Sequence, residues 1–136
     1  MPGLAVLAWM RLARVFQKVD RATADELRTW NLNTAQFDVL VRVGSSKGIT
    51  QQELADRLLV TKGNISQLLD RMERLGLLQR RQDGRSKSLS LTDAGQKLYK
   101  EIVPLHEMMI TQQFSVLSKE EVSQLLRLLR KLDHHT

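Results

Sequence analysis

Cysteine is missing from this 136-residue chain. Disulfides, thiol redox sensing and cysteine-ligated zinc are excluded together, and cysteine usage does not fix the compartment. Proline occurs twice and glycine seven times, and aromatic residues make up 4%. With so few chain breakers and so few strand-forming aromatics, the chain is expected to be mainly helical. Apolar runs stay far below the length that spans a bilayer. The opening Leu4–Met10 stretch is apolar but short, and no basic residue precedes it as in a secretory signal. A cytoplasmic protein with no membrane attachment is therefore expected.

Catalytic machinery is missing as well. There is no Gly-rich phosphate loop, nucleophile motif or pair of facing carboxylates, so neither an enzyme nor a bound cofactor is expected. The histidines are His106, His134 and His135. The last two sit where a terminus frays, and His106 has only Glu101 and Glu107 near it in sequence, so no metal site is expected.

What the chain does have is charge and period. Its 42% apolar and 26% charged residues are those of one ordinary globular domain, residues 1–136. The formal net charge of +6 suits a polyanionic partner.

The most informative stretch is Thr61 to Leu91. Ile65, Leu68, Leu69, Met72 and Leu75 recur at helical spacing and mark one face as core. Lys62, Asn64, Ser66, Gln67 and Arg71 give the other face a mixture of donors and acceptors suited to base edges and phosphates. Gly76 ends that helix. Two strand-like runs follow, Leu77–Arg81 and Ser88–Leu91, joined by Gln82-Asp83-Gly84-Arg85-Ser86-Lys87, in which Asp-Gly is a hairpin signal.

Upstream, Leu4 to about Thr29 reads as one long helix with Ala5, Ala8, Leu12, Val15, Phe16 and Val19 on its apolar face. Arg11, Arg14, Lys18 and Arg21 lie between them. Three later helix starts share one capping pattern: Asn33 with Gln36, Thr50 with Glu53, and Ser118 with Glu121. A weaker copy occurs at Thr61. The short helix after Thr50, with Leu54, Ala55 and Leu58 inward, is separated by only Leu59-Val60 from the helix after Thr61. That spacing predicts a helix-turn-helix. Thr92 begins another helix, in which Pro104 is expected to produce a kink or a break. The last helix carries a wide stripe of Val122, Leu125, Leu126, Leu129 and Leu132. Both terminal helices have more apolar face than a small winged domain can cover, which predicts a homodimer.

The run Leu54-Ala55-Asp56-Arg57-Leu58, then Asn64 through Leu78, then Asp83-Gly84-Arg85 and Leu89-Ser90-Leu91-Thr92-Asp93-Ala94-Gly95, resembles the MarR family. The carrying features are the helix ending in Leu-Gly-Leu-Leu, the wing Asp-x-Arg, and the Leu-Thr-x-x-Gly that closes the second strand. The resemblance implies a winged helix-turn-helix, mainly α with a small β-hairpin wing. Residues 32–95 would form the DNA-binding lobe, and 1–31 and 96–136 the dimerisation helices. It further implies a sequence-specific transcriptional regulator, usually a repressor on a pseudo-palindromic operator. Many members release DNA when a small aromatic or phenolic effector binds.

Carried onto this chain, the resemblance places Thr61, Lys62, Asn64, Ser66 and Gln67 at the major groove and Arg71 at phosphate. It places Arg85 in the minor groove, where narrow A·T-rich segments attract guanidinium. Asp83 would orient the wing. Ser86 and Lys87, with Gln51 and Gln52 at their helix start, are expected phosphate contacts. Ser86 stands where the family often has a second aspartate. Trp9, Leu12, Phe16, Phe37 and Leu40 are candidates for the effector pocket by their position on the first two helices. Two other readings remain: a winged-helix module that binds a protein partner, and a nucleoid-type protein with low sequence preference. A wing bearing Arg80, Arg81, Arg85 and Lys87 favours DNA over a protein partner, and the polar recognition face favours specific over indiscriminate binding.

Overall fold

Local capping sets most of the helix ends. The computed structural model describes residues 2–58 and 62–135, except for the side chains of Lys62, Gly63 and Asp83. The helices are α1 (Leu4–Arg28), α2 (Thr34–Gly44), α3 (Gln51–Leu58), α4 (Lys62–Arg74), α5 (Asp93–Gln113) and α6 (Lys119–His135), with a short 3-10 turn at Phe114–Val116. Strands β1 (Leu78–Asp83) and β2 (Ser86–Leu91) lie between α4 and α5. Residues up to Pro104 form one compact unit and Leu105–Thr136 another.

All three expected capping boxes form. The Gln36 amide donates to Asn33 Oδ1 at 2.8 Å, and the Asn33 amide to Gln36 Oε1 at 3.0 Å. Thr50 and Glu53 exchange the same pair at 3.1 Å each. Ser118 and Glu121 do so at 2.8 and 3.1 Å. Such a cap contributes about 1 kcal/mol. The expected start at Thr61 lies outside the described residues. Two helices end in the same left-handed motif. After α1, Asn31 takes φ +58° and the Leu32 amide reaches back to the Leu27 carbonyl at 3.1 Å. After α4, the amides of Gly76 and Leu77 donate to the carbonyls of Glu73 and Met72 at 2.9 and 3.1 Å.

The core is assembled from every element between α1 and α5. Leu27, Phe37, Leu40, Leu54, Ile65, Leu69, Met72, Leu78, Leu89 and Ile102 are all buried in one cluster. Leu75 departs from its expected place and is 52% exposed. α4 ends at Arg74, and Leu75 opens the left-handed turn through Gly76, off the buried face.

The hairpin is longer and tighter than its apolar alternation suggests. Pairing runs from Leu78 opposite Leu91 to Asp83 opposite Ser86, leaving only Gly84-Arg85 as the loop. Gly84 has φ +64°, a value a two-residue loop requires at its first position and glycine adopts without cost. Only the base of the hairpin touches the core, so only Leu78, Leu89 and Leu91 carry apolar side chains there. The paired outer half is polar and therefore reads as loop in sequence.

Ile49 and Thr50 add a piece of backbone that the sequence does not announce. The Leu89 amide donates to the Ile49 carbonyl at 2.9 Å, and Thr50 forms a bridge with Ser88. The start of α3 is thereby fixed to β2. At the other end of the wing, Thr92 holds three elements together. Its amide donates to the Leu77 carbonyl at 3.1 Å and its hydroxyl to the Gly76 carbonyl at 2.5 Å. Its Oγ1 in turn accepts the Gly95 amide at 3.1 Å, capping α5.

Pro104 does not break its helix, because α5 runs on to Gln113. The missing amide frees the carbonyl of Lys100, and both residues are exposed, so water can take that carbonyl. No described residue of α1 before Thr23 is buried, and no described residue of α6 is. Among the described residues, no helix is long and apolar enough to cross a membrane.

Candidate nucleic-acid interface

The polar side of α4 divides into two stripes. Asn64, Gln67 and Arg71 recur at positions i, i+3 and i+7, and all three are exposed. Ile65, Leu69 and Met72 anchor the opposite side in the core. Ser66 falls on a separate flank with Asp70 and Glu73, at i, i+4 and i+7, and is half-buried. Thr61 and the side chain of Lys62 lie outside the described residues.

Arg85, Ser86 and Lys87 occupy the exposed tip of the wing. Across from them, Gln51, Gln52 and Asp56 line the start of α3, and buried Ile65 is at the base of the groove between. The groove encloses about 530 Å³. Its walls keep their spacing because Thr50 is bridged to Ser88. The capping box satisfies the amides of Thr50 and Glu53 and leaves those of Gln51 and Gln52 without partners inside the helix. Two free amides at a helix start, facing a basic loop, form a surface that favours anionic groups.

Glu53 also lines the groove, with its carboxylate engaged in the cap. Hydrogen bonds from the Thr50 amide and hydroxyl, with Arg57 nearby, hold its carboxyl below its ordinary value of 4.5. A depressed folded-state pKa contributes stability above the unfolded value, and that stability is lost as pH falls through the folded one. Below pH 4.5 the wild type is therefore expected to lose stability relative to Glu53→Gln, whose cap does not titrate. Urea midpoints for the two proteins between pH 6 and 3 check this, and parallel curves would disprove it.

Arg80 is not a free wing cation. Its guanidinium binds Asp70, and its Nε donates to Glu73 Oε1 at 2.8 Å. Burial works against its charge, but the two carboxylates outweigh that and raise its pKa. The exposed basic residues of the wing are thus Arg81, Arg85 and Lys87. The pairing was hidden in sequence because Asp70 and Glu73 are seven or more residues away from Arg80. Its one signal is that Arg80 shares the strand face of buried Leu78.

The five residues proposed for an effector pocket separate into two groups. Phe37 and Leu40 belong to the buried core. On α1, Leu12 is half-buried, while Trp9 and Phe16 are 65% and 67% exposed. Among the described residues, no cluster of three histidine, aspartate or glutamate side chains could hold a metal ion.

Comparison with known proteins gives this geometry a context. The MarR family model matches residues 30–87. An uncharacterized helix-turn-helix-type transcriptional regulator of Bacillus cereus is 35% identical over 132 residues, covering 96% of this chain and 89% of the relative. The structure of the S. aureus MepR-DNA complex is similar over the whole of both chains, with 25% identity and a TM-score of 0.84. A Listeria monocytogenes chain complexed with 26mer DNA is also 25% identical, with a TM-score of 0.85 over 99% of this chain and 89% of that one.

Proposed function

Because this chain belongs to the MarR family of helix-turn-helix transcriptional regulators, we propose that it is a homodimeric, ligand-responsive repressor acting in the cytoplasm on a pseudo-palindromic operator. The observation that carries the DNA reading is the groove between α3 and the wing. It aligns the free amides of Gln51 and Gln52 with Arg85, Ser86 and Lys87, beside the Asn64–Gln67–Arg71 stripe. In this reading the stripe meets base edges in the major groove, Arg85 enters the minor groove, and Gln51, Gln52, Ser86 and Lys87 hold phosphate. Thr61, Lys62 and Ser66 are assigned to the same major-groove contact. The protein acts by binding, and no chemical step is assigned to it.

The dimer is supported by what the terminal helices leave uncovered. Leu4, Leu7, Trp9, Met10 and Phe16 are exposed on α1, as are Leu126, Leu128 and Leu132 on α6. Fully burying a side chain of this size contributes about 1.5–3 kcal/mol, so a second copy that covers several of them would be strongly held. Residues 32–95 then serve as the reading lobe, and 1–31 and 96–136 as the dimerisation region. An aromatic or phenolic effector would bind where Trp9, Leu12 and Phe16 approach the side of Phe37 and Leu40 in the dimer.

Selection of bound duplexes from fragmented genomic DNA tests the function. The expected product is a two-fold-symmetric site with half-sites about one helical turn apart. On that site Asn64→Ala or Gln67→Ala should lower the preference over a scrambled duplex by about 1–3 kcal/mol, whereas Lys87→Ala should weaken both duplexes alike. Equal losses on both duplexes for Asn64→Ala would remove its base-reading role. Binding without a consensus would point to a nucleoid-type protein, and no binding at low salt to a protein partner.

A further inference from the structure

The wing is a slender lever. From Arg81 to Lys87 its residues are exposed, apart from Asp83, whose side chain is not described. A two-stranded ribbon holds no fixed direction by itself. Five residues separate Arg80 from Arg85, roughly 15 Å at strand spacing. A rotation of about 10° at the base would move the tip by about 2–3 Å, enough to take a guanidinium out of hydrogen-bonding range.

Arg80 stands where such a rotation would start. Its side chain is 16% exposed and faces α4 from the same side of β1 as buried Leu78. One guanidinium meets two carboxylates, Asp70 and Glu73, one turn apart on α4. Isolated surface ion pairs contribute little, but a forked arginine held by two acceptors at a half-buried site is a geometric constraint as well as an attraction. The carboxylates lie on the flank of α4 beside the Asn64–Gln67–Arg71 stripe, so the clasp joins the recognition helix to the wing without occupying the reading face.

We propose that Arg80 is a positioning residue for DNA reading: by clasping Asp70 and Glu73 it fixes the angle of the wing to α4, so that Arg85 and the α4 stripe meet DNA as one rigid reader. The proposal rests on the DNA-binding function above, and its test separates the two.

The deciding variant is the full-length chain carrying Asp70→Asn and Glu73→Gln, measured on the selected operator at several salt concentrations. These substitutions remove two negative charges beside the DNA-facing stripe, so electrostatics alone would tighten binding. The clasp predicts the opposite: affinity falls about tenfold, within the range expected when the Arg85 contact is lost. The slope of log affinity against log salt falls by no more than about 1, the share that Arg85 gives up when the tip is released. In the same background Arg85→Ala costs several-fold less than in the wild type, since the tip is already released. Equal or tighter binding by the double variant overturns the proposal.

Arg80→Lys provides a second route if the double variant is unfolded at the assay temperature. A lysine keeps the charge but cannot fork across both carboxylates. Weakened binding with a slope lowered by no more than about 1 supports the clasp, and wild-type affinity overturns it. If Arg85→Ala leaves wild-type binding unchanged on every duplex, the wing has no reading role and the proposal falls with it. Failure of the charge-pair variants alone leaves the DNA-binding function standing.

Discussion

Gly95→Ala is expected to cost about 3 kcal/mol or more of stability, at or beyond the upper end of ordinary overpacking. A Cβ at position 95 would lie 2.1 Å from the Leu77 carbonyl oxygen and 3.2 Å from Leu91 Cβ. The first neighbour is backbone, and it is pinned because that carbonyl accepts the Thr92 amide. Relief would require breaking this bond or shifting the start of α5, whose cap uses the Gly95 amide. Gly44 is the natural comparison. A Cβ there meets the Tyr99 ring at 2.5 Å, but a half-buried side chain can turn aside. Urea unfolding should therefore place Gly95→Ala well below Gly44→Ala. A Gly95→Ala midpoint at or above that of Gly44→Ala would show that the Leu77 turn yields more easily than its bonding implies. Since whole domains have only about 5–15 kcal/mol in hand, a loss of this size removes a large share of the reserve.

Arg85→Ala should be the most damaging single change to DNA binding that leaves the fold intact. Arg85 is exposed at the loop, and no core residue depends on it. Its loss is expected to weaken operator binding by about 1–3 kcal/mol, or roughly 5–150-fold, and to reduce the salt slope by about 1. Because a guanidinium in the minor groove reads width rather than base identity, the loss should be greatest on duplexes with A·T-rich flanks. Lys87→Ala should reduce the slope similarly but respond little to flanking sequence. Fluorescence anisotropy on paired A·T- and G·C-flanked operators makes the comparison. An Arg85→Ala loss that is the same on both would place Arg85 on phosphate instead.

Much of this molecule could be read from its residues. Asn33, Thr50 and Ser118 cap helices as their spacing indicates, since a capping box lies within four residues and needs no tertiary help. Ile65, Leu69 and Met72 could be assigned to the core for the same reason, because helical period is local. What escaped was pairing across distance. One partner of Arg80 lies ten residues back at Asp70, and only the turn at Gly76 between α4 and β1 brings them together. Ile49 and Thr50 join β2 some forty residues later through backbone alone, which leaves no side-chain mark. The outer half of the wing reads as loop because apolar alternation signals a strand only where one face is buried, and Gln82, Ser86 and Lys87 are exposed. Leu75 misled in the opposite sense: its spacing is helical, but α4 ends one residue earlier.

The Thr92 contacts give the wing a property beyond stability. The chain enters the hairpin at Gly76-Leu77 and leaves it at Thr92, and these two points are bonded to each other. These contacts, the bond from the Leu89 amide to Ile49 and the Arg80 pairs all hold the inner half of the hairpin, so the length of its outer half is independent of the frame that carries it. One residue added to each strand would lengthen the wing by about 3.3 Å and two by about 6–7 Å, while the extra loop closure costs only a fraction of a kcal/mol. Strand residues alternate sides, so only additions in twos keep the tip facing as it does now. The wing is in effect a ruler with a fixed origin: related chains can reach deeper or shallower into a groove by changing its outer rungs, without altering the part that folds.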